Sequence, residues 1–179
     1  MLAIYLAACL GTYDPNDPGP FNPVASDQVQ NIGRVLGAWL SNFFLFLTGY
    51  LAYALPLLAV FTGWLVYDRA GRPLEKATPM EWLSRLTGLL LFILSATGLA
   101  HMHTLPAAGS MPAGGGGVIG LQIATPILQS AGALGSTLFL LAMFLVGLTL
   151  FAGISWFQVM DITGKYTLAL AGWLNASVA

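Results

Sequence analysis

Charge is what this sequence has least of. Six Lys+Arg and seven Asp+Glu make up 7% of 179 residues, where a soluble domain carries roughly 25%. That is too little to build a polar shell, which excludes a soluble globular enzyme. Net charge is -1, so there is no basic field to recruit nucleic acid. Any DNA must be handled by something outside this sequence. Cys9 is the single cysteine, so no disulfide can form within the chain and the redox compartment is not readable from it. No nucleotide-binding G-x-x-x-x-G-K-[ST] occurs: Gly164-Lys165 is followed by Tyr166, and Val159 stands where the first glycine would be. No phosphate cradle follows. The cores of the apolar runs also lack Asp, Glu, Lys and Arg. Ion and proton pathways usually need such groups, which counts against a pump and leaves open a hydrophobic pore.

What is present is apolar: 57% of residues are hydrophobic and mean hydropathy is +0.78. The pattern predicts an all-α integral membrane domain over 1–179, with four transmembrane helices. The first, 1–13, is short of the roughly 20 residues a crossing needs. It lacks a basic n-region and a small-residue cleavage site, so it is not read as a signal peptide. We expect it to be the outer part of a span that begins before Met1; a short buried helix is the alternative. An outer loop, 14–35, follows, with Pro15, Pro18, Pro20 and Pro23 too closely spaced for helix. Within it, Asp27 to Gly33 could form a short surface helix. The second span covers 36–66, inside a charge-free run from Val35 to Tyr67. That run is longer than a bilayer needs, and the excess predicts a tilt, or a break near Gly49 or Pro56. Pro56 is tolerable if neighbouring helices satisfy the freed carbonyl. Loop 68–81 holds Asp68, Arg69, Arg72, Glu75, Lys76 and Glu81, and the third span is 82–105. A second outer loop, 106–133, contains four consecutive glycines, Gly114 to Gly117, and an apolar run, Val118 to Gln129, too short to cross. The run is expected to be an interfacial or re-entrant helix. The fourth span is 134–157, and 158–179 is expected to be an amphipathic segment on the membrane surface.

Loop charges orient the domain. Arg69, Arg72, Lys76 and Arg85 are four of the six basic residues, which places 68–81 in the cytoplasm and both termini with it. Trp64, Tyr67, Trp82 and Trp156 then lie at inner ends of spans, Tyr13 and Trp39 at outer ends.

Candidate sites are few. The pair His101-x-His103 could offer two metal ligands, but a stable site needs three or four; both are read as interfacial, with no metal. Gly33-x-x-x-Gly37 and Ala59/Gly63 fit close helix packing, within or between subunits. Gly116 and Gly117 are read as a flexible loop ahead of Val118, Ile119 and Leu121. With Trp39 these residues face the outer side, either covering helix ends or forming a docking surface. Gly153 and Trp156 are further candidates for helix packing or partner contact.

Several blocks then carry a resemblance. Tyr13-Asp14-Pro15-Asn16-Asp17-Pro18, Asn31-Ile32-Gly33 with Gly37-Ala38-Trp39-Leu40, and Ala52-Tyr53 with Pro56 and Gly63-Trp64 come first. Gly116-Gly117-Val118-Ile119-Gly120 and Gly147-Leu148-Thr149-Leu150-Phe151 with Gly153 and Ser155-Trp156 follow. In this order they resemble the N-terminal membrane domain of the FtsK/SpoIIIE-type DNA translocases. The resemblance implies a non-catalytic anchor in the bacterial inner membrane at the division septum. It implies contacts with other septal membrane proteins, and an ATP-driven DNA motor beyond this sequence. That motor would hold ATP and magnesium, touch DNA, and drive most of a hexameric self-association. No cofactor is expected in these residues themselves. The alternative from another class is a small oligomeric channel or transporter subunit.

Overall fold

The structure is a computed structural model that describes residues 1–22, 29–70, 79–105, 110–153, 160–161 and 163–168. Among them there is no strand, only an isolated bridge between Gly19 and Asn22. The apolar stretches are helical because a lone segment in lipid can satisfy its own backbone N–H and C=O groups only as a helix. Helix α1 is Leu2–Gly11, α2 Arg34–Thr48, α3 Leu55–Ala70, α4 Pro79–His103 and α5 Gly117–Ala152, with a 3-10 helix, Gly49–Ala54, between α2 and α3. Among the described residues, three stretches are long and apolar enough to cross a membrane: Arg34–Trp64, Met80–His103 and Gly117–Ala152. The chain is a multi-pass membrane protein.

The long charge-free run is broken. Gly49 has φ 58° and ψ -134°, a conformation that residues with a Cβ rarely adopt, and it ends α2. Pro56 falls in the first turn of α3, where its missing N–H costs nothing. The outer run expected at 118–129 is helical, but it is joined to the last span within α5. The join is bent at Gly132, with φ 66° and ψ 178°. Helix α5 ends at Ala152, short of the expected 157, because Gly153 takes the left-handed cap (φ 64°, ψ 31°) and donates its N–H to Thr149 at 2.9 Å. The short helix suggested for Asp27 to Gly33 is not found over residues 29–33. There the N–H groups of Gln30 and Asn31 bond to Asp17, that of Ile32 to the Thr12 hydroxyl and that of Gly33 to the Asn31 side chain. Most of 158–179, and Trp156 with it, lies outside the described residues.

Helix α4 packs antiparallel on the second half of α5. Gly88 lies against Leu150 and Phe151, Gly147 against Phe92, and Gly98 against Leu140. The Phe92 and Phe144 rings are 4.9 Å apart. A Cβ on Gly88 or Gly147 would come within 2.5 Å of a backbone nitrogen on the partner helix. On the other side Leu10, Leu45 and Ala52 form a buried cluster joining α1, α2 and the 3-10 helix. Phe61 meets Phe151 edge-on at 5.6 Å, tying α3 to α5. Hydroxyls buried in this apolar interior fold back on their own helices. Ser41 donates to Gly37, Ser95 to Leu91, Thr97 to Ile93 and Ser136 to Gly132. Among the described residues, no buried side-chain nitrogen or oxygen lacks a partner.

Candidate functional site

The polar and glycine-rich residues collect where the two long connecting loops meet the helix ends. The proline-rich loop is held down by Asp17, which is 3% exposed. Its carboxylate accepts the backbone N–H groups of Gln30 at 2.8 Å and Asn31 at 2.9 Å. Such bonds to a charged acceptor are the strong ones. Asn31 is the hub beside it. Its amide donates to the Cys9 carbonyl at 2.8 Å and the Thr12 carbonyl at 3.2 Å, and its side-chain oxygen accepts from Gly33. Asn42, on α2, accepts the Phe21 N–H at 3.3 Å. Phe21 stacks on Phe46 with centroids 3.8 Å apart. Beyond the end of α1, burial raises the pKa of the Tyr13 phenol above its ordinary value, against the lowering effect of its bond to Asn42.

A second junction is made of glycine backbone. After α4 ends at His103 the chain doubles back, so that Gly116 lies against Thr97 and His101, within the last two turns of that helix. Gly120 takes up the same neighbours. Tyr50 donates its N–H to the Gly115 carbonyl at 2.8 Å, which closes the break at Gly49. A Cβ on Gly49 would overlap the Gly115 carbonyl, and one on Gly117 (φ 64°) would overlap the Leu47 carbonyl. The tetraglycine is therefore a backbone plug between α2 and α4. Three chain segments approach there more closely than side chains allow.

The expected site residues are distributed over these features. Gly33 and Gly37 both lie against the Cys9 sulfur, where α2 crosses α1, and Gly33 also against the Tyr5 hydroxyl. This close approach is made within the chain. Gly63 has open space around it. Gly116 and Gly117 are buried in the plug; Val118 and Ile119 are half-buried behind it. Leu121 is 44% exposed and Trp39 50% exposed. Trp39 lines a shallow apolar groove with Pro20, Leu36, Leu40 and Phe43. Gly153 caps α5. His101 and His103 go separate ways: His101 packs on Gly116 and Gly120, and the His103 Nε2 is 3.0 Å from the Thr137 hydroxyl. Among the described residues no three His, Cys, Asp or Glu are grouped so as to hold a metal ion. Sequence reasoning quoted Asp17, Asn31 and Gly115 only within longer blocks, did not name Asn42, and gave none of the four a structural role. The available signal was the density of Asn and Asp around the prolines, since these side chains bond backbone groups in turns.

A family model described as the 4TM region of DNA translocase FtsK/SpoIIIE matches residues 1–164. The chain is 43% identical over 171 residues to the DNA translocase FtsK of Pseudomonas aeruginosa, covering 93% of this chain and 21% of that protein. It is 39% identical over 174 residues to that of Pseudomonas putida, covering 94% and 20%. Against that of Vibrio parahaemolyticus it is 33% identical over 168 residues, covering 94% and 16%. The chain thus spans about a fifth of the length of these relatives. No solved structure matches it.

Proposed function

Because this chain belongs to the 4TM region of the FtsK/SpoIIIE DNA translocases, we propose that it anchors a septal DNA translocase in the inner membrane and docks it to the division machinery. The observation that carries the reading is the family match over 1–164, on a stretch about a fifth of its relatives' length. On this reading α1 belongs to the first crossing, the run through α3 is the second, α4 the third and the second half of α5 the fourth. Loop 68–81 is cytoplasmic and loops 14–35 and 106–133 are outside. ATP, magnesium and DNA belong to a motor beyond these residues, which also drives most of the hexamer. A channel or transporter subunit is disfavoured by the buried hydroxyls, each bonded back onto its own helix rather than facing a polar path.

The docking role has support in the exposed side of the first half of α5. Leu121 and Leu128 are 44% and 42% exposed there, on a helix whose start is seated on α4 through Gly116 and Gly120. Aliphatic groups on such a half-buried helix suit a neighbouring membrane protein. The test is to exchange 1–179, in the tagged full-length translocase, for an unrelated anchor with the same number of spans. The expected result is normal membrane insertion with lost concentration at the septum. Undiminished septal recruitment would refute the docking role.

A further inference from the structure

The second crossing contains far more helix than a bilayer needs. Helix α3 and the 3-10 helix together reach about 36 Å, already enough for a hydrocarbon core of about 30 Å. Helix α2 adds about 22 Å more. Its neighbours show where that length goes. At its start, Gly33 and Gly37 lie on Cys9, close to the end of α1. At its middle, Asn42 bonds Phe21 of the loop that follows α1. At its end, Leu47 and Gly49 lie on Gly115 and Gly117, which the doubled-back loop holds beside the last turns of α4. Start, middle and end therefore all touch material at the same side of the membrane. A helix crossing the bilayer would descend by its full length between the first and last of these contacts.

We propose that α2 does not cross. It lies in the plane of the outer leaflet, with its exposed face seated in lipid at the boundary of acyl chains and headgroups. This placement of α2 rests on the four-crossing reading above. The composition of the two faces names the occupant. The face turned to the protein carries Ser41, Asn42 and Thr48, all buried. The outward face carries Val35, Leu36, Trp39 and Phe43, between 40% and 64% exposed. This is the reverse of a helix facing water, and it has the apolar-plus-Trp composition favoured at a membrane interface. Arg34, exposed at the start of α2, stands at the level of the headgroup phosphates. The Gly49 break and the Tyr50–Gly115 bond then form the corner at which the chain turns from the leaflet plane into α3.

The experiment uses the full-length protein with Cys9→Ser, in bilayers of phosphatidylethanolamine and phosphatidylglycerol. Spin labels are placed singly on Leu36→Cys and Phe43→Cys in α2, and on Leu57→Cys and Trp64→Cys in α3. All four positions are exposed, so the labels need not disturb packing. Collision with oxygen against a nickel chelate reports depth. The two positions of each pair are two helical turns apart, so a crossing helix separates its two labels by about 10 Å. The expected result is equal, shallow depth for 36 and 43, with high oxygen accessibility, and the full separation for 57 and 64. A label at 43 deeper than that at 36 by this full two-turn separation would overturn the proposal. So would shielding of both α2 labels from oxygen and nickel, which would mean that a protein covers the face. If 57 and 64 show no separation, the crossing assigned to α3 fails, and the length argument fails with it.

Discussion

Gly49→Ala is the sharpest perturbation the fold offers. At φ 58° and ψ -134° an alanine pays for a positive φ, about 1–2 kcal/mol. Its Cβ would also overlap the Gly115 carbonyl, so the plug must retreat. Retreat breaks the Tyr50–Gly115 bond, worth about 1 kcal/mol, and leaves the buried Gly115 carbonyl without its partner, a desolvation cost of about 1–3 kcal/mol more. The total is about 3–6 kcal/mol, at the upper end of single-residue effects. Two internal comparisons separate the contributions. Gly114→Ala also has positive φ (80°) but open space, so it should lose only about 1–2 kcal/mol. Gly63→Ala, in a helix with open space, should be neutral or gain up to about 1 kcal/mol. Equilibrium unfolding in mixed micelles, with rising dodecyl sulfate fraction and circular dichroism as the readout, gives the three values on one scale. If Gly49→Ala costs no more than Gly114→Ala, the close backbone contact contributes nothing and the reasoning is wrong.

Other outcomes follow from the same features. In a Cys9→Ser background in intact cells, Ser110→Cys should react with an impermeant thiol reagent and Arg72→Cys should not; the reverse pattern overturns the orientation. The fragment 1–179 should self-associate only weakly, because Gly33 and Gly37 are already occupied by Cys9 within the chain; a robust hexamer by mass measurement in nanodiscs would contradict this. Leu121→Ser, in the full-length tagged protein, should reduce septal recruitment severalfold at normal membrane levels; Val118→Ser and Ile119→Ser, at half-buried positions, should instead lower those levels. Asp17→Asn replaces a carboxylate that accepts two backbone bonds and should cost about 1–3 kcal/mol, seen as faster proteolysis of the outer loop; an unchanged cleavage rate would remove the anchoring role.

The sequence by itself determined that this is a helical membrane domain and roughly where the helices run. Hydropathy, charge and proline are local properties, and a continuous apolar run of about 20 residues satisfies its backbone in lipid as a helix. The scarcity of charge and the blocks from Tyr13-Asp14-Pro15 to Ser155-Trp156 carried the family. Excess length between Val35 and Tyr67 pointed to a break, with Gly49 among its candidates. Only the tertiary structure decided how the break is used. Gly49 meets Gly115, far along the chain and beyond two further helices, α3 and α4, and which backbones meet depends on how separate helices dock. The spacing Gly33-x-x-x-Gly37 signals a close approach and does not say to what; the answer, Cys9, lies in another helix. Asp17, Asn31 and Asn42 read as ordinary polar loop and helix residues until folding brings them together beneath the proline-rich loop. The run Val118 to Gln129 is short on paper, and its place depends on a bend at Gly132 and a seat against Thr97. Periodicity records which face of a helix is apolar, and whether lipid, a loop or another helix covers that face is settled only when the helices pack.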